Sequence, residues 1–174
     1  MRKIALLRGV NVGGRNKLPM KAFAAALEGL GCENVKTYIQ SGNAIFDGEA
    51  SAADIAGAVK KAAGFTPHVF VISAAALGKA ARANPFSKEA AASGKSVHLF
   101  LLEAPPAAEA AEALGKLKHP REDFAIGGKT LYLYTPEGVA GSKIAERIDR
   151  VLGTTTTARN WNTIEALLAL AENK

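Results

Sequence analysis

The chain has 174 residues, 48% of them hydrophobic and 22% charged, a composition that suits one folded domain or two small ones and argues against disorder. Its formal charge of +6 arises wholly in residues 1–27, where Arg2, Lys3, Arg8, Arg15, Lys17 and Lys21 precede the first carboxylate, Glu28; beyond that point bases and acids balance. The single cysteine, Cys32, excludes an internal disulfide and a cysteine-based metal cluster, and no run approaches the roughly 18 apolar residues of a membrane-spanning helix.

The first predicted strand is Lys3–Arg8. Arg8 ends the apolar run Ile4-Ala5-Leu6-Leu7, which is too short for the core of a secretion signal, so the expected location is the cytoplasm. A glycine- and asparagine-rich loop follows, Gly9-Val10-Asn11-Val12-Gly13-Gly14-Arg15-Asn16-Lys17, and Pro19 fits the first position of a helix. That helix carries Met20, Phe23, Leu27 and Leu30 at helical spacing and ends at Gly31. Cys32 then folds back on the last turn as a packing residue. Val35, Thr37 and Ile39 alternate with Lys36, Tyr38 and Gln40, the pattern of a half-buried strand. Ser41-Gly42 signals a two-residue hairpin, and Asn43–Asp47 returns as the next strand. Ser51 with Asp54 forms a capping pair for a helix running to Gly64, and His68–Ser73 is the fourth strand.

The order strand, helix, strand, strand, helix, strand is the split βαβ, ferredoxin-like arrangement. Residues 74–94, an alanine-rich helix followed by Asn84-Pro85-Phe86 and a Ser/Gly-punctuated stretch, read as a connector. The pattern then repeats. Strand Ser96–Leu102, a break at Pro105-Pro106 and helix Ala107–Leu117 are followed by strands Asp123–Gly127 and Lys129–Thr135, which turn at Gly127-Gly128. A helix from Ser142 to Leu152, a short strand in Thr154–Thr157 and a final helix Asn162–Glu172 complete the chain. The predicted fold is α+β: two ferredoxin-like βαββαβ plaits in tandem, residues 1–78 and 95–174, joined by a connector at 79–94 and ending in an extra helix. One continuous α+β domain is the alternative. In a plait with spatial strand order 4-1-3-2, the end of the first strand and the hairpin Gln40–Asn43 emerge at the same sheet edge, so two distant loops become one surface.

That surface carries the chemistry. The first loop combines glycines, whose backbone can approach a ligand, with Arg8, Arg15 and Lys17, and this suits an anion. It matches neither the P-loop, which needs a hydroxyl after the lysine, nor the G-x-G-x-x-G spacing of dinucleotide sites. The competing explanation is that the glycines only satisfy left-handed backbone angles and the cations are solvated. The candidate ligand-binding residues are Arg8, Asn11, Gly13, Gly14, Arg15 and Lys17, with Ser41 and Asn43 from the hairpin. A third cluster, Arg159, Asn160 and Trp161, could stack on and hydrogen-bond a planar group. Its local alternative is a helix cap at Asn162 with Glu165, against which Trp161 packs. The expectation is that this cluster converges on the first loop's site. Tyr132 and Tyr134 share one face of their strand, where packing is favoured over a base-stacking platform. His68, His98 and His119 share no ligand spacing, no Ser/His/Asp or Cys/His order stands out, and neither a metal nor a cofactor is expected.

The motifs Ile4–Lys17, Thr37-Tyr-Ile-Gln-Ser-Gly-Asn43, Asn84-Pro-Phe86 and Ala158-Arg-Asn-Trp-Asn162, taken in order, resemble the uncharacterised family of domains of unknown function numbered 1697. The resemblance runs along essentially the whole chain. It implies paired α/β plaits and no established activity, and Cys32 stands where members look to carry a larger apolar or aromatic residue. The expected function is binding of a phosphate-bearing ligand, nucleic acid or nucleotide, through the basic loop. The alternatives are an enzyme acting on a small anionic substrate at that site and a protein-interaction module using an exposed sheet edge.

Overall fold

The computed structural model describes residues 1–172. They form two compact units, Met1–Lys79 together with the chain from Ala166 onward, and Ala80–Glu165. Each contains a four-stranded antiparallel sheet. Among the described residues no helix is long and apolar enough to cross a membrane.

The first unit runs β1 (Arg2–Arg8), α1 (Met20–Glu28), β2 (Glu33–Tyr38), β3 (Asn43–Asp47), α2 (Ala52–Ala63) and β4 (His68–Ser73), with strand order β2-β3-β1-β4. Four consecutive apolar residues place β1 at the centre of the sheet: Ile4, Ala5, Leu6 and Leu7 are all buried, so both faces of the strand are covered. Ala5 and Leu7 share a core with Phe46, with Phe23 and Leu27 of α1, and with Ile55 and Val59 of α2. Each such large side chain contributes about 1.5–3 kcal/mol by leaving water. Helix α2 starts with the expected capping box, in which Ser51 accepts from Asp54 N–H and the Asp54 carboxylate accepts from Ser51 N–H; it stops at Gly64 in the left-handed region, φ +81°. Cys32 is buried in the core and its burial raises the thiol pKa, as befits a packing residue.

Two expectations for this unit are corrected. Pro19 is the residue before the helix, with extended ψ of 135°, and α1 ends at Glu28, leaving Leu30 partly exposed. The second strand ends at Tyr38, which pairs with Asn43, so the hairpin turn has four residues, Ile39 to Gly42, instead of two. Ile39 breaks the alternation because its φ is +46° and its side chain is half exposed.

In sequence, α3 (Ala74–Arg82) and α4 (Ser87–Ala92) come next, followed by β5 (Val97–Leu102), α5 (Ala110–Leu117), β6 (Asp123–Gly127) and β7 (Thr130–Tyr134). A short 3-10 turn at Val139–Gly141 leads to α6 (Lys143–Leu152), β8 (Thr156–Asn160) and α7 (Trp161–Glu172). The order β6-β7-β5-β8 reproduces the first sheet's topology. Phe100, Leu102, Leu131 and Leu133 pack under Leu114 of α5 and Ile144, Ile148 and Leu152 of α6. The fold is therefore two tandem ferredoxin-like plaits with a C-terminal helix. Tyr132 is buried and its hydroxyl donates to the Ala80 carbonyl at 2.6 Å, while Tyr134 stacks on Phe86 with ring centroids 6.0 Å apart. Packing, not a free aromatic platform, accounts for both.

Candidate functional site

The loop after β1 is an ordered miniature hairpin. Asn11 N–H donates to Asn16 O at 3.0 Å and Arg15 N–H to Val12 O at 3.0 Å. Gly13 and Gly14 sit at its tip with φ of +58° and +74°, the two positive values that a type I′ turn requires. Two asparagines in the left-handed region hold the base, Asn11 at φ +54° and Asn16 at φ +50°. Asn16 Nδ2 donates to Gly9 O at 3.0 Å. The Asn11 side chain accepts from Leu18 N–H at 2.8 Å and donates to Leu18 O at 2.9 Å, and the same Nδ2 donates to Gln40 O at 2.7 Å. That last bond fastens the loop to the β2–β3 turn.

The turn meets the loop from the other side. Leu6 pairs with Asn43, and Leu7 N–H donates to Gly42 O at 2.8 Å. A Cβ on Gly42 would lie 2.6 Å from Val10 Cγ2 and 2.8 Å from Leu7 Cβ, so only glycine allows this approach, at φ +79°. The expected juxtaposition of loop and hairpin at one sheet edge is present. Asn43 is fully buried; its Nδ2 donates to Tyr38 O at 3.0 Å and to Ser41 Oγ at 2.8 Å, and so closes the turn, while Ser41 remains exposed.

The tertiary structure redistributes the N-terminal charge. Arg2 forms a 2.7 Å ion pair with Asp47, and Lys3 a 2.8 Å pair with Glu49. Hydrogen bonding from Arg2, and then from Asn34, holds the Asp47 carboxyl at about 2, well below its usual value. Both pairs lie at the end of β1 away from the loop, since Arg2 is in register with Asp47. Arg8, Arg15 and Lys17 are exposed at the other end, and among the described residues Arg15 and Lys17 make no ion pair. The Gly13 and Gly14 N–H groups likewise have no hydrogen-bond acceptor among these residues.

The Arg159–Trp161 cluster lies in the second unit, and the structure gives each member a local task. Arg159 is in β8 opposite Leu99 and is buried; its Nη1 donates to Thr157 Oγ1 at 3.1 Å and Ala158 O at 2.8 Å, and burial lowers its pKa to about 10. Asn160, not Asn162, caps α7: its Oδ1 accepts from Thr163 N–H at 3.0 Å because the helix begins one residue earlier than expected, directly from the strand. Trp161 is buried, its Nε1 donates to Glu165 at 3.1 Å, and its N–H donates to Gly94 O.

Sequence reasoning missed four residues at the loop edge. His68 opens β4 directly opposite Arg8, on the same sheet face. The strand order contained that signal, because in an antiparallel pair the first residue of the fourth strand faces the last of the first. Val12 and Ile39, 65% and 50% exposed, flank the Asn11–Gln40 junction with apolar surface. The fourth is Asn16, whose role depends on a left-handed angle that no periodicity reports. No group of His, Cys, Asp and Glu among the described residues could hold a metal.

Comparisons agree with this architecture. The model of the family described as "Protein of unknown function (DUF1697)" matches residues 1–132, which include the loop and hairpin but stop short of the Arg159–Trp161 segment. The solved structure of SP0830, a conserved bacterial protein from Streptococcus pneumoniae, is similar with a TM-score of 0.67 at 22% identity, over 98% of each chain. That likeness extends to the fold. No protein with a curated description matches the chain.

Proposed function

The chain belongs to this family of proteins of unknown function, DUF1697, and from that premise we propose that it binds a phosphate-bearing polymer, nucleic acid, through the loop Arg8–Lys17 and the turn Ile39–Gly42. One observation carries the reading: Arg15 and Lys17 stand exposed, without an acidic partner among the described residues, on a hairpin already ordered by Asn11 and Asn16. A pre-ordered cationic loop binds phosphate without the cost of ordering it at the time of binding. Exposed Val12 and Ile39 beside those cations favour nucleic acid over inorganic phosphate, because they offer sugars and bases an apolar contact. The chain of exposed residues from Val12 to Lys17 suits an extended polymer tracking across the sheet edge.

Fluorescence anisotropy with a labelled DNA duplex tests this. Neutralising about three to four phosphates gives a log–log salt slope of roughly −3 to −4. Replacing Arg15 and Lys17 together by Ala should flatten that slope by about two. Binding that is absent at low salt, or whose slope survives the double replacement, contradicts the proposal.

A second reading, an enzyme acting on a small anionic substrate at the same edge, draws on the His68–Arg8 pairing. An imidazole beside a guanidinium offers a proton-transfer group next to an anion holder. It is favoured over the first if a small phosphate ester is turned over and His68→Ala abolishes turnover without weakening binding.

A further inference from the structure

We propose that the second unit holds an anion pocket of its own, suited to a small organic phosphate. A cavity of about 520 Å³ opens where the end of α5, the turn Lys118–Glu122, the connection Thr135–Gly141 and the first turns of α6 meet. That volume falls within the roughly 300–1,000 Å³ of small-molecule sites. Its wall carries five Lys/Arg side chains, Lys116, Lys118, Arg121, Lys143 and Arg147, against two carboxylates, Glu122 and Glu137. A low-dielectric wall with an excess of one sign of charge concentrates the opposite charge in the space beside it.

Three of these cations are already matched: Lys116 with Glu112 at 2.8 Å, Lys118 with Asp123 at 3.4 Å, and Arg121 with Glu137. Lys143 and Arg147 are not; neither has an ion pair or hydrogen bond to its side chain among the described residues. They are four residues apart on one helix and both line the cavity. Like charges at that spacing on a helix face repel each other, and an anion between them removes the repulsion. The opposite wall is held in place. Buried Glu122 accepts from His119 N–H at 3.3 Å, and His119 Nδ1 accepts from Arg121 N–H at 3.2 Å, which leaves Nε2 as the donor of the neutral ring. Leu117, Pro120 and Pro136 add apolar surface to the lining, so a phosphoryl group carrying an organic body fits this site better than a bare ion. The pocket belongs to the second unit and the glycine-rich loop to the first, so neither reading depends on the other.

Isothermal titration calorimetry of the full chain at low salt, with phenyl phosphate as the probe, tests the site. Saturable binding is expected, tighter than for inorganic phosphate and absent for phenol. Replacing Lys143 and Arg147 together by Ala should weaken it about a hundredfold, about tenfold per cation. Both side chains are exposed, so the fold survives, and an unchanged urea midpoint confirms that. A control in which Lys60 and Lys61 of α2 are both replaced by Ala removes the same charge from the first unit and should leave binding intact. The amide resonances of Gly138 and Gly141 should shift on titration. Absence of saturable binding, full affinity in the Lys143/Arg147 variant, or equal losses in the two double variants would overturn the proposal.

Discussion

Replacing Gly42 by Ala probes the contact that joins the two loops. At φ +79° an L-residue pays about 1–2 kcal/mol for its Cβ. The added methyl also lands 2.6 Å from Val10 Cγ2 and 2.8 Å from Leu7 Cβ, closer than carbon atoms tolerate, and both neighbours are buried with no room to retreat. Overpacking of this kind costs about 1–3 kcal/mol, so the expected total is about 2–5 kcal/mol. Gly13→Ala is the matched control: its φ is +58° but nothing lies within 4 Å of the new Cβ, so only the backbone cost of about 1–2 kcal/mol applies. Urea unfolding of both variants, compared at equal m-value, separates the steric part from the conformational part. A Gly42→Ala protein no less stable than Gly13→Ala would show that the hairpin does not press on β1 as described. The same movement would shift Gln40 O away from Asn11 Nδ2, so oligonucleotide affinity should fall with stability in Gly42→Ala.

Ile39→Asn should raise stability by about 1 kcal/mol, since Asn tolerates the left-handed angle that a β-branched residue resists, and should weaken oligonucleotide binding; a urea midpoint that does not rise refutes the strain. His98 lies on β5 with Nδ1 unpartnered among the described residues, and burial lowers its pKa from 6.5 to about 4. Because the folded value is the lower one, its contribution is complete above the unfolded pKa and is lost as pH falls through the folded one. Unfolding free energy should therefore drop by about 2 kcal/mol between pH of about 7 and about 4.5, and His98→Leu should flatten that part of the profile. Parallel wild-type and variant profiles would refute this. Asn160→Ala should cost about 1 kcal/mol by uncapping α7, whereas Asn162→Ala should cost less than about 0.5 kcal/mol; chemical denaturation giving the reverse order places the cap elsewhere.

Residue patterns alone determined the two plaits and the location of the loop. Strand and helix periods are local properties, so the apolar run Ile4–Leu7, the Ser51/Asp54 capping box and the repeated element order were legible without coordinates. The order of elements, together with the plait's antiparallel pairing, also implied that the Gly42 hairpin meets the end of β1. Long-range and single-angle effects were not legible. The N-terminal segment has no acid of its own, yet β3 and the residue pair beyond it supply Asp47 and Glu49 to Arg2 and Lys3, because register, not proximity in sequence, decides which charges meet. The cap moved from Asn162 to Asn160 because β8 runs straight into α7, and a cap is set by where the helix starts. Ile39 left the alternation through one positive φ, which the apolar character of its side chain conceals. Charge that survives tertiary pairing, not charge in the chain, is what a surface presents to solvent, and only the folded structure shows that Arg15 and Lys17 keep theirs.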